Sequence, residues 1–111
     1  MDESILATIK GMLPIEEDND AFDVELIAHI NGALMILTQL GIGPEEGFSI
    51  DDSGDQTWGD LIGERGDLEG VKDFIYTKVK PIFDPSTSTT VMQALKEASK
   101  EYEWRLSIQA D

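Results

Sequence analysis

The sequence has no cysteine, a single histidine and only 8 Lys+Arg among its 111 residues. Without cysteine there is no disulfide framework, no thiolate zinc site and no thiol nucleophile, and the redox compartment stays open. The shortage of bases, against 23 Asp+Glu, gives a formal net charge of -15. Binding to phosphates rests on clustered Lys and Arg, so duplex DNA and anionic membranes should be repelled by most of this surface. No apolar run approaches the roughly 18 residues that span a bilayer. The opening stretch MDESILATIKGML carries acids where a secretory signal has a positive region, and no small-residue cleavage site follows. The expectation is a protein that stays inside the cell where it is made. What is present is hydrophobic content of 41%, too high for intrinsic disorder, in a length that suits one domain over 1–111.

The charge is unevenly spread. Residues 1–64 hold 15 acids and one base, Lys10, whereas residues 65–111 hold 8 acids and 7 bases. The plain reading is a solvated face that keeps a small domain soluble; the sharper one is a surface that must not stick to a polyanion.

Periodicity predicts an all-α fold, a compact bundle of four to five helices. A first helix over Glu3 to Leu13 carries Ile5, Leu6, Ile9, Met12 and Leu13 at helical spacing, with Pro14 helping to end it. The polar connector Glu16 to Asp20 can cap a long central helix over about 21–40, ended by Gly41 in the left-handed position. Such a helix is about 30 Å long. Leu26, Ile30, Leu34, Leu37 and Leu40 form its stripe, and Val24, Ile27, Met35 and Ile36 extend the apolar surface around most of its circumference. This leaves Glu25, His29, Gly32 and Gln39 as a narrow polar strip. So apolar a helix is expected to be central in the fold or in an oligomer.

A loop follows, with one short extended piece expected at residues 47–50. Thr57 and Asp60 have capping-box spacing for a brief helix from Trp58 to Gly63. Asp67 can cap a fourth helix with Leu68, Val71, Ile75, Val79 and Ile82 on one face and Phe74 and Phe83 beside it. Pro81 should stop or kink it near Val79. After Asp84-Pro85, the run Ser86 to Thr90 offers caps for a C-terminal helix over about 90–107, with Val91, Leu95, Ala98, Tyr102 and Leu106 in register. Glu97 with Lys100 and Glu101 with Arg105 are its expected surface pairs.

Catalytic chemistry finds little to work with. His29 and Glu25 lie one turn apart, but a general base needs a nucleophile or an electrophilic stabiliser within reach, and none is evident. A surface or interface histidine is the simpler account. The stretch Ser49 to Asp55 resembles a calcium loop only superficially. With Gly54 at the sixth position, Gln56 replaces the required apolar residue and Asp60 replaces the bidentate Glu. Glycines follow no phosphate-loop pattern. Trp58 reads as a core plug. Trp104, between Glu103 and Arg105, reads equally as an interface anchor or a core residue.

The blocks FDVELIAHINGALMILTQLGIGPEEGF, TWGDLI and LEGVKDFIYTKVKPIFDPSTSTTVMQALKEASKEYEWRL, in this order and spacing, resemble the head-tail connector (adaptor, head-completion) proteins of tailed bacteriophages and prophages. The similarity runs from about Asp2 to Leu106. Pro81 departs from the family pattern, in which an apolar helix former is usual. The resemblance implies an all-α virion protein at the head-tail interface, assembled in the bacterial host cytoplasm. It implies a ring below the portal, following its twelve-fold symmetry, that offers a docking surface to a neck or tail-completion protein, without enzymatic activity or a cofactor. DNA passes through such a ring, and a carboxylate lining would keep it from being held. Asp51, Asp52 and Asp55, or the Glu16 to Asp20 connector, are the expected channel lining. Glu103, Trp104, Arg105, Leu106 and Ile108 are the expected portal-docking edge. The competing classes are an acidic DNA-mimic inhibitor, which needs carboxylates spaced like phosphates along an extended face, and a small acidic regulatory adaptor.

Overall fold

Ser4 starts the first helix. Its backbone is extended, and its hydroxyl accepts the Ala7 N–H at 3.1 Å, satisfying a donor that the first turn leaves open. The same hydroxyl donates to the Gly54 carbonyl at 2.8 Å, tying the helix start to a loop 50 residues later. In the computed structural model, which describes residues 3–13, 15, 20–63, 70–83 and 89–110, five helices follow in order. They are α1 (Ile5–Met12), α2 (Asp23–Gln39), α3 (Trp58–Ile62), α4 (Gly70–Phe83) and α5 (Thr89–Ala110). The fold is the all-α bundle the periodicity predicts. β pairing among the described residues is a single antiparallel bridge between Ser4 and Thr57. Its hydrogen bonds are Ile5 N–H to Gln56 O at 3.0 Å and Trp58 N–H to Glu3 O at 3.3 Å.

The helix ends obey the local chemistry. Gly41 has φ 88°; its N–H reaches Thr38 O and the Ile42 N–H reaches Leu37 O, at 3.0 and 2.9 Å. Two carbonyls of the last turn are thus satisfied, and Ile42 is folded back into the core. The Thr57–Asp60 capping box forms in both directions. Gly54, at φ 67°, could not carry a side chain easily, since a Cβ there would stand 2.9 Å from Leu6 Cδ2.

The extended piece at residues 47–50 does not join a strand. Asn31 on α2 takes the place of one: its side-chain amide donates to Ile50 O at 3.0 Å and its side-chain oxygen accepts the Ile50 N–H at 2.8 Å. These are the two bonds that a neighbouring strand would exchange.

Helix α4 packs against α1, α2 and α5. Val71, Phe74, Ile75 and Val79 are all fully buried on it, and Phe74 is among the largest side chains wholly enclosed in the core. Helix α2 lays Leu26, Ile30, Leu34 and Leu37 into the same core. Pro81 does not stop α4 near Val79; the helix continues to Phe83. A proline in the final turn forfeits only one intrahelical hydrogen bond, and its fixed φ is itself helical, so the buried turns before it carry the helix through. Helix α5 extends the expected 90–107 span by one residue before and three after. The Asp67 cap, Leu68, the Glu16 to Asn19 part of the connector, Asp84-Pro85 and the Ser86 to Ser88 caps lie outside the described residues, as do the side chains of Ile82 and Phe83.

Lys10, the one base of the acidic half, is 3% exposed. Its Nζ is 2.9 Å from Asp23 Oδ1, at the start of α2. The pair ties α1 to α2, and it also places a carboxylate at the electropositive end of α2.

Candidate partner-binding surfaces

The two tryptophans have opposite environments. Trp58 opens α3 and is buried; its Nε1 donates to Thr8 Oγ1 on α1 at 2.9 Å, and Lys72 Nζ lies 5.6 Å from the ring centroid. The core-plug reading of Trp58 is therefore right. Trp104 on α5 is 64% exposed, and Ile108, one turn further, is 53% exposed. The i, i+4 spacing sets them on one side of the helix. Arg105 beside them is held by Glu101, Nη2 to Oε1 at 2.9 Å, with both side chains open to solvent. A large indole held in water next to an isoleucine and a presented guanidinium has the composition of a contact hot spot.

Two members of the expected docking edge differ. Leu106 is 1% exposed and belongs to the core, where its side chain and that of Tyr102 close against the backbone of Gly70 on α4. It is not available to a partner, because position 106 falls on the α5 stripe that faces α4. Glu103 is half-buried. The register of α5 holds at Ala98, Tyr102 and Leu106 and loosens toward the N-terminal end, where Val91 is exposed. Of the two expected pairs, Glu101–Arg105 forms. Glu97 instead accepts from Gln93 Nε2 at 3.2 Å. Tyr102 Oη sits 3.5 Å from Asp73 Oδ2. Desolvation, then the Asp73 charge, raise the phenol above its ordinary range.

The acidic loop is a built turn. The Asp51 carboxylate accepts the Ser53 N–H at 3.0 Å and also the Ser53 hydroxyl, while the Asp51 N–H donates to Gln56 Oε1 at 3.1 Å. Asp51, Asp52 and Asp55 are all exposed. The Ser53 hydroxyl, followed by Gln56, holds the Asp51 carboxyl below the usual 3.8. A depressed carboxyl stabilises the turn at pH values above the ordinary value, and this support disappears as pH falls through the lowered one. Carbon-detected NMR titration should therefore give Asp51 a midpoint below the ordinary 3.8. Ser53→Ala should move it upward; an unmoved midpoint would refute the turn as its cause.

Asn31, which the sequence reading passed over, hangs this loop from α2. Asn31→Ala should cost about 2–3 kcal/mol, from two backbone groups losing their partners in part-buried surroundings. Hydrogen exchange of Ile50 should accelerate well before global unfolding. The apolar surface expected outside the stripe of α2 is in part solvent-facing. Val24 and Met35 on α2, 80% and 60% exposed, lie with exposed Ala28 and Gly32 on a face turned away from the core. Their departure from the 26-30-34-37 register sets them apart from the buried stripe.

His29 is half-buried and Glu25 exposed. Among the described residues no three His, Asp or Glu side chains form a group able to hold a metal ion. No helix among them is long and apolar enough to cross a membrane. The surface thus presents contact features: an aromatic edge, an acidic loop and an open helix face.

These are features through which a small all-α protein can dock on other proteins. Comparison with protein families matches residues 5–111 to the family described as phage connector protein, and the chain belongs to that family. Membership makes it a virion component with a structural connecting role, in contact with other virion proteins such as the portal. No curated protein and no solved structure matches the chain.

Proposed function

We propose that copies of this chain, each folding as one domain over 1–111, form a twelve-fold ring below the portal. The ring completes the head after DNA packaging and offers its far side to a neck or tail-completion protein. The observation that carries the reading is the solvated Trp104–Ile108 edge of α5 in a member of the connector family. In this reading Trp104, Arg105 and Ile108 dock on the portal, and the half-buried Glu103 borders the contact. Asp51, Asp52 and Asp55 face the channel, where a rigidly turned loop of carboxylates repels phosphates and lets DNA pass without a grip. The protein is not an enzyme and takes no cofactor. It assembles in the bacterial host cytoplasm and ends at the neck of the virion.

The test is co-sedimentation with portal rings encoded by the same phage or prophage. The chain should pellet with them, saturating at about twelve copies per portal as the template's symmetry requires. It should leave duplex DNA in the supernatant at ordinary salt. Absence from the portal pellet, or a tight hold on duplex DNA, would refute the proposal.

A further inference from the structure

Between the C-terminal half of α4 and the N-terminal half of α5 lies an open groove of about 470 Å³. Pro81 and Met92 contribute apolar lining, and Lys78, Lys96 and Lys100 border it. Two features of this groove find no counterpart among the described residues. Ser99, 5% exposed, lines it with a hydroxyl that has no hydrogen-bond partner among the described residues. Buried hydroxyls are normally paired, and an unmet one is costly. Moreover, in a chain with 23 acids to 8 bases, none of the three bordering lysines makes an ion pair among the described residues. Lys78 instead lies over its own neighbour Phe74, 5.6 Å from the ring centroid.

A groove with an apolar lining, a cationic rim and a buried hydroxyl fits a segment that carries an apolar side chain flanked by carboxylates. The chain itself presents one. At the start of α2, Phe22 is 46% and Val24 80% exposed, with the exposed carboxylates of Asp20 and Glu25 on either side. We infer that the α4/α5 groove receives the α2 start of a second copy. Phe22 and Val24 enter the apolar lining, a carboxylate meets Lys96 and Lys100, and the Ser99 hydroxyl donates to that carboxylate. Because the two patches differ, the contact is head-to-tail, and repeated copies either close into a ring or grow into a filament. The inference rests on the ring reading and adds which surfaces neighbouring subunits use.

The absence of cysteine makes the test direct, since only introduced thiols can cross-link. The full chain carrying both Val24→Cys and Gln93→Cys should give a ladder of disulfide-linked multimers under mild oxidation, with or without portal rings. Chains with one substitution each, when mixed, should stop at a heterodimer. Adding Lys96→Glu and Lys100→Glu should reduce cross-linking about tenfold or more, as expected for opposed interface charges. Further adding Asp20→Lys and Glu25→Lys should restore it. Circular dichroism on each variant separates a lost contact from a lost fold. No ladder in the folded double-cysteine chain, or a ladder indifferent to the charge reversal, overturns the inference. Portal co-sedimentation of the same chains tells this failure from that of the connector reading: attachment retained without a ladder removes the head-to-tail contact alone.

Discussion

Trp104→Ala should release the chain from portal rings while leaving its helices intact. The indole is mostly in solvent, so its removal costs the monomer little; surface substitutions usually stay within about 0.5 kcal/mol. At a docked interface the same truncation removes a buried aromatic anchor, worth about 2 kcal/mol or more, or roughly 30-fold in affinity. Ile108→Ala should weaken attachment in the same direction and less strongly. Truncating the chain after Tyr102 would not isolate the docking edge, because it also deletes Leu106, which is part of the core. The informative control is Leu106→Ala, which should lower the unfolding midpoint, whereas Trp104→Ala should not. Portal binding that survives the Trp104 and Ile108 double substitution would move the docking edge elsewhere on the molecule.

Phe74→Ala should be among the most damaging single changes to the fold. Phe74 has no exposed surface and sits on α4, the helix that α1, α2 and α5 all touch. Large-to-small changes at such sites cost about 3–5 kcal/mol, from lost transfer energy plus the cavity left behind. Against a total stability of about 5–15 kcal/mol for a small domain, that leaves a marginal protein. Urea unfolding followed by circular dichroism would report it as a lower midpoint at unchanged slope. A loss under about 1 kcal/mol would mean that the space collapses around the missing ring and that α4 does not organise the core. Removing the larger Trp104 should affect binding alone, so the two aromatics separate stability from attachment.

Legibility in the sequence followed the range of the interactions. Gly41, the Thr57–Asp60 box and the Glu101–Arg105 pair are set by residues within one turn of each other, and each is where the spacing predicts it. The buried stripes of α2 and α4 were legible as periodicity. Pro81 does not stop the helix near Val79, because the sequence alone does not show that it stands in a final turn, where the proline rule for a helix interior loses force. Glu97 was assigned to Lys100, but Gln93 lies one turn earlier and takes its carboxylate. Asn31 and Lys10 gave no local signal, since their partners are 19 and 13 residues away. Leu106 was assigned to the portal edge because it neighbours Trp104 in sequence. Two residues on, the helix has turned it about 200° away from Trp104, against Gly70. At the proposed site, then, the residue types were readable and the side of α5 that each occupies was not.

The burial of Lys10 has an effect on the outside of the molecule. It is the only base among the first 64 residues, and with its ammonium turned inward against Asp23 those residues offer solvent carboxylates and no cation of their own. Two such exteriors approaching in symmetric register repel one another over about 8 Å of physiological electrolyte. Mirror-like pairings are therefore turned away before the molecules touch, and the approaches that survive present an anionic flank to something else. A single enclosed cation thereby sharpens the charge contrast between the two parts of the chain.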